Sequence, residues 1–424
     1  MTRPLIEYMR AVPDPRCGRE TKHDHAEVLV CLVAGFLAGR TTIRRSLRWC
    51  WRHLEELRKY IPLKNGIASP STACRLLSGI DEELFALQFM EWAGEIAGTK
   101  GVHLAIDGKA LRAAAEKVKG QRTPMVMNVI EAATGLVMVQ FPIQDKDCEI
   151  TAIPELLKLL DIRESTVTID AVGTQTQIMR QILDQGGHFV LTVKRNQPQS
   201  YEEIMKYFGE MSEDYENMKK YPDLRPRHPE MMEGYEETAC HEKNRDRYEH
   251  RWCKVCSSVK ILTRTQKEWP FLKTVGQIRQ VRIPVERDRE GNDITPDIKT
   301  FLKKGSRRKP KPARGDEAGS DIQDIGIISD RKLSAEEAGQ IKRSHWSVEN
   351  QLHHVLDDTF REDRSPAKKS RNNLALIRKF AYNILRIAMI SESCSKIMTE
   401  AMDDFCDDLS LTEKYVFSGI NSFY

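Results

Sequence analysis

Residues 25–38 form a nearly unbroken apolar run, and a run of that length predicts a helix buried on most of its faces. The next stretch, 44–60 (RRSLRWCWRHLEELRKY), carries Leu47, Trp51, Leu54 and Leu57 at helical spacing among basic residues, the pattern of an amphipathic helix. Pro62 and Gly66 break the chain. Ser69 and Pro70 then mark a helix start, with Ser69 as N-cap and Pro70 in the first turn. That helix covers 72–77, and after Gly79 another runs from Asp81 to about Ala97. The first hundred residues therefore read as helical.

From Val102 the pattern changes to strands. Residues 102–107 (VHLAID), 125–131 and 136–143 are apolar strand-like runs, the last two separated by the turn signal Thr134-Gly135. An amphipathic helix over 150–160, a strand at 166–170 (TVTID), a helix over 174–184 and a strand at 188–193 follow. This order predicts a mixed α/β sheet, hairpin-joined first and then joined by helical crossovers. Between Arg195 and about Ser334 the character differs: an acidic helix at 201–220, a Pro-rich turn at 221–229 and alternating runs at 247–259 and 274–285. Residues 299–315 hold eight Lys or Arg and no acid, which predicts a solvated loop. One more strand is expected at 322–328, then long helices over 335–360 and 372–390, and a peripheral acidic tail at 400–408.

Composition narrows the classes. The chain has 424 residues, 40% hydrophobic, which excludes a wholly disordered protein and suggests two or three domains. A net charge of +4 is too even to identify a nucleic-acid partner, so the local basic strips at 299–315 and 366–379 carry that argument. The basic helical stretch near residue 44 fits a nucleic acid, and fits the solvated face of a small bundle as well. The longest apolar run, 26–38, is shorter than the ~18–20 residues of a membrane span. With no secretory signal and ten cysteines lacking framework spacing, a reduced, cytoplasmic chain is expected. Cys253 and Cys256, with Cys240 and His241 upstream, mimic a zinc knuckle, but residues three apart in a strand face opposite sides. Buried thiols are the expectation there.

Two of the expected strands close on an acid, Asp107 and Asp170. Adjacent strand ends can bring carboxylates close, and the repulsion is offset by a hard cation such as Mg²⁺; turn-capping aspartates are the alternative. Later, His345, Glu349 and His353 recur every four residues on one helix face. That face suits either a zinc site or a third carboxylate joining Asp107 and Asp170, with the histidines at substrate or water. Hard-ligand chemistry favours the second.

The motifs AIDGKALR (105–112), TIDAVGTQ (168–175), VKRNQ (193–197) and HWSVENQLH (345–353), continued by TFREDRS (359–365) and NLALIRKF (373–380), resemble the transposases of H-repeat and related bacterial insertion sequences. The chain departs from that pattern at His354 and Asp358, and Lys342, His345 and Leu356 replace the Tyr-Arg-Lys partners found around the glutamate in some relatives. The resemblance implies an α/β, RNase H-like mixed sheet core interrupted by a β-rich insertion, with an N-terminal helical domain. The implied divisions are 1–100 (DNA-binding), 101–197 and 334–392 (core), 198–333 (insertion with its basic loop) and 393–424 (tail). It also implies Asp107, Asp170 and Glu349 as a DDE triad holding two Mg²⁺, with Mn²⁺ as substitute. DNA contacts are expected from Lys109, Arg112, Lys194, Asn196, His345, Trp346 and Asn350, although a Trp in an amphipathic helix, as Trp346 is, more often packs in a core. The implied partner is double-stranded DNA bound by a homodimer, with no membrane partner. A catalytically silent DNA-binding descendant is the alternative, and an unrelated paired-carboxylate hydrolase fits the low aromatic content poorly.

Overall fold

Short-range start signals act where the sequence places them. The Ser69 hydroxyl accepts the Thr72 N–H at 3.2 Å, and Asp81 caps the next helix through the N–H groups of Glu83 and Leu84. In this computed structural model the described residues are 2–16, 21–111, 125–143, 149–221, 223, 225, 229–244, 247–288, 290, 292–305, 322–365 and 369–421. The side chains of 230, 231, 244, 261, 303–305, 347, 349 and 350 lie outside the description. The chain divides into two compact units, Met1–Val167 with Asp184–Gly187 and Ser344–Tyr424, and Thr168–Leu183 with His188–Arg343.

The first unit opens with helices α1 (Leu5–Ala11), α2 (His25–Leu37), α3 (Ile43–Arg52), α4 (Leu54–Leu57), α5 (Pro70–Gly79) and α6 (Glu82–Ile96). Every residue of α2 after His25 is buried, as its apolar run predicts. The buried face of α3 differs from the expected one: Leu47, Trp49 and Cys50 are inside, while Trp51 is 67% exposed. The reason is the closeness of α2 and α3. A Cβ added to Gly35 would fall 2.5 Å from the Ser46 Cα, so Ser46 must face α2, and the residues sharing its side are 47, 49 and 50. Arg44, Arg45, Arg48, Trp51 and Arg52 are left together on the outer face.

The strands of this unit are β1 (His103–Ala110), β2 (Met125–Glu131) and β3 (Val137–Ile143), antiparallel in the order β3-β2-β1, followed by α7 (Glu149–Lys158). Strand β4 (Thr166–Ile169) has its first two residues in this unit and its last two in the other. The second unit continues with α8 (Thr176–Asp184, its last residue in the first unit), β5 (His188–Val193), α9 (Pro198–Lys220), α10 (Pro229–Met232), β6 (Tyr235–Asn244), β7 (Arg247–Cys256), α11 (Thr263–Glu268), β8 (Thr274–Pro284), α12 (Ile298–Gly305) and β9 (Ile322–Ser329). Here β5 pairs with β9, and the order β5-β9-β8-β7-β6 is antiparallel throughout. The residues of the expected insertion thus extend the sheet from β5. Strand β6 is absent from the sequence reading because its residues are largely polar, as suits an edge strand with one neighbour. The basic run begins inside α12, and 306–321 lie outside the described residues.

Helix α13 (Ala335–Val348) passes into π-helical turns at Glu349–His353 and Val355–Thr359, so the expected single helix to residue 360 changes its winding at Glu349. In the first unit α14 (Arg371–Ile390) is almost wholly buried, with Phe380 stacked among Phe85, Phe89 and Trp92. The acidic tail is not peripheral: α15 (Met398–Asp407) buries Ala401, Met402 and Phe405. Along the chain the order β-β-β-α-β-α-β, closed after further strands by α13, is that of an RNase H-like α/β core. Among the described residues no helix is long and apolar enough to cross a membrane.

Candidate active site

In the first unit Asp107 lies within β1, opposite Asn128, rather than at a strand end. The strand continues because Lys109, two residues on and therefore on the same face, is drawn into the interior. Its ammonium donates to Asp357 Oδ1 and to Glu362 Oε2, each at 2.7 Å, and the Lys109 and Glu362 side chains are only 5% and 3% exposed. Lys109 is thus committed to a buried ion cluster and is not a phosphate contact. Burial pushes the Glu362 carboxyl up, but the charges of Lys109, Lys379 and Arg378 outweigh it and hold the group at about 2. Lys379 is itself pulled down to about 8 by burial, and it donates to Gln140. Arg378 places its guanidinium 5.5 Å from the centre of the Phe36 ring.

His353 belongs to the same cluster. Its Nδ1 lies 3.5 Å from Asp107 Oδ2. Burial, reinforced by Lys109 and Lys379, lowers this imidazole to about 3, so it is neutral at ordinary pH. Its Nε2 is buried and finds no hydrogen-bond partner among the described residues.

In the second unit Asp170 follows the last residue of β4 and leads into a 3₁₀ turn at Ala171–Gly173, the strand-end position that the sequence predicts. Lys194 sits 3.0 Å from Asp170 Oδ1. Lys342, buried in α13, donates to Thr192 Oγ1 at 2.7 Å. Burial raises the Asp170 carboxyl, yet Lys342, Lys194 and the Ala171 N–H together hold it at about 2. The Asn196 amide donates to the Ala171 carbonyl at 2.9 Å, and Gln197 donates to Ala171 and Thr174 at 3.1 Å. Asn196, itself exposed, therefore also braces the Asp170 turn. Gln197 acts at this turn without having been singled out from the sequence, although it stands in the quoted VKRNQ motif; Lys342 figures in the sequence only as a departure from the relatives' pattern.

The other expected residues are placed as follows. His345 is buried, which favours packing for it, and Trp346 is half-buried. Arg112 lies outside the described residues, as do the side chains of Glu349 and Asn350. Cys253 and Cys256 are buried thiols, as expected, with Cys253 pushed up to about 12 by burial, while Cys240 is exposed. Among the described residues no three His, Cys, Asp or Glu side chains converge as a metal cage; the Glu349 side chain, part of the expected zinc face, lies outside them. The donors that fit a divalent cation are Asp107 and Asp170, hard carboxylate oxygens. At Asp170 the fit is direct, since its negative charge already attracts two ammonium groups.

Residues 6–93 match the family described as DDE_Tnp_1-associated, and residues 98–288 match the Transposase DDE domain. "Putative transposase YncI" of Escherichia coli (strain K12) is 35% identical over 194 residues, 46% of this chain and 78% of that protein. The protein of the same name from Escherichia coli O157:H7 is 28% identical over 387 residues, 90% of this chain and 87% of the relative. "H repeat-associated putative transposase YhhI" of the K12 strain is 28% identical over the same length, covering 90% of each chain. Together with the β-β-β-α-β-α-β order and the acids on β1 and after β4, these matches establish that the chain belongs to the bacterial DDE transposase family.

Proposed function

We propose that this protein cleaves DNA strands at the ends of an insertion sequence and transfers them to target DNA, with Asp107, Asp170 and Glu349 as its triad. The observation that carries the reading is Asp170, a half-exposed carboxylate after the end of β4, beside the ammonium of Lys194 and kept ionised by Lys194 and Lys342, in a chain of this family. Two Mg²⁺ ions, or Mn²⁺ in their place, would when bound by the triad activate the attacking oxygen and stabilise the leaving oxygen at phosphorus. The protein's own groups have separable tasks. Lys194, half exposed, can release Asp170 and meet a phosphate oxygen, whereas Lys342 is buried on Thr192 and stays. Asn196 and Gln197 hold the Ala171 carbonyl, which keeps the Asp170 backbone in place. Arg112, Trp346 and Asn350 remain proposed DNA contacts on the family resemblance.

The partner is double-stranded DNA, bound as a homodimer so that two ends are paired, in the cytoplasm and away from membranes. The outer face of α3 supports the DNA reading: Arg44, Arg45, Arg48 and Arg52 are all exposed there beside Trp51. Each phosphate contact releases counterions, so Arg44→Ala with Arg48→Ala should lower the slope of log affinity against log salt by about 2. An unchanged slope in a DNA-binding titration excludes this face as a phosphate contact.

The deciding experiment incubates the full chain with linear DNA bearing the element's own ends, in Mg²⁺ or in Ca²⁺, beside Asp170→Ala. Cleavage that needs Mg²⁺ and disappears in the variant is expected. Cleavage that survives the substitution overturns the role of Asp170.

A further inference from the structure

Asp107 and Lys109 share one face of β1, and each is met by a side chain from the turns after Glu349. His353 meets Asp107; Asp357, four residues later, meets Lys109 together with Glu362. The two contacts are successive rungs: the pair on β1 is two residues apart on one face, and the pair that meets it is four residues apart in the turns. A one-residue slip of the strand would turn both side chains to its other face.

We propose that His353 is a positioning residue for Asp107, donating from Nδ1, and that the Lys109 rung holds the Glu349-bearing segment in register with it. The inference rests on the reading of Asp107 as a cation-holding acid. The imidazole turns Nδ1 toward Asp107 Oδ2, while its Nε2 is buried with no hydrogen-bond partner among the described residues. An N–H on Nδ1 is therefore the one that a carboxylate partner can accept. The Nδ1–Oδ2 separation is 3.5 Å.

Two structural costs sit at this segment, and the second rung offsets them. The π-helical turns at Glu349–His353 and Val355–Thr359 are a rare winding that turns up at functional positions. Arg361 has φ +52°, a left-handed conformation that an arginine seldom adopts, and it precedes the short turn that carries Glu362 to Lys109. Once Lys109 binds both carboxylates, the lateral position of His353 over Asp107 is fixed.

The test is Mn²⁺ binding by the full chain without DNA, followed by electron paramagnetic resonance, for His353→Asn and His353→Leu. Asparagine places an N–H close to the Nδ1 position; leucine fills the buried volume without one. Loss of an orienting partner weakens metal binding about 10–100-fold, so leucine should fall in that range and asparagine within about threefold of wild type. A residue that merely packs would give the opposite order, leucine being the better buried side chain. The proposal is overturned if the leucine variant binds Mn²⁺ like wild type, or if asparagine is as weak as leucine. Should leucine prevent folding, His353→Gln takes its place, with the amide moved to the ε position and the same loss expected. Asp107→Asn separates the two readings: unchanged Mn²⁺ binding in that variant removes Asp107 from the triad, whereas loss there with none in His353→Leu overturns the positioning role alone.

Discussion

Asp107→Asn is expected to slow Mg²⁺-dependent strand cleavage by about 10³-fold while leaving the thermal midpoint unchanged. The amide has the carboxylate's shape and can still accept from His353 Nδ1. Its backbone register with Asn128 does not involve the side chain, and that side chain is 24% exposed, so no buried group is orphaned. What disappears is one unit of negative charge at the reacting phosphate. Charge stabilisation by a bound cation is worth several kcal/mol, and each 1.36 kcal/mol is tenfold in rate. Single-turnover cleavage beside a thermal scan provides the measurement. Activity within about tenfold of wild type would remove Asp107 from the reaction.

Lys109→Met should act in the opposite manner, on stability first. Methionine matches the lysine stem, but Glu362 and Asp357 lose the ammonium that both accept from. Breaking a buried ion pair from one side costs about 3–5 kcal/mol, and the lower end applies because Lys379 and Arg378 still act on Glu362. The pH dependence identifies the cause. The folded Glu362 lies at about 2, below its ordinary value of 4.5. Its contribution is therefore complete above the ordinary value and is lost as pH falls toward the folded one. In the variant the buried carboxyl rises, so the deficit against wild type is largest near neutral pH and shrinks on acidification. Urea midpoints at pH 7 and pH 3 measure this, and a deficit equal at both would locate the damage in packing instead of charge.

Local chemistry was the readable part of this chain. The caps at Ser69 and Asp81 and the bounds of β2 and β5 depend on neighbours within a few residues, and the periodic pattern reports them. Asp170 was legible for the same reason, since an aspartate after a short β-branched run marks a turn. Asp107 reads as a strand end because the apolar run VHLAI stops at it. The strand continues on account of Lys109, whose partners lie 248 and 253 residues away, beyond any periodic signal. Lysine is seldom buried unless paired, so its sequence position alone suggests an outward phosphate contact. Trp49 and Trp51 fit a helical stripe equally well, and the choice between them is made by the bare backbone of Gly35 against Ser46.

The pairing of β5 with β9 has a consequence for biosynthesis. Val190 and Ser329 are register partners, yet they leave the ribosome far apart in time. At about 5–20 residues per second, β5 waits roughly 7–30 s for its neighbour to be made. During that interval an apolar strand rim is open to foreign chains, so nascent protein should depend on a holding chaperone until residue 329 has emerged.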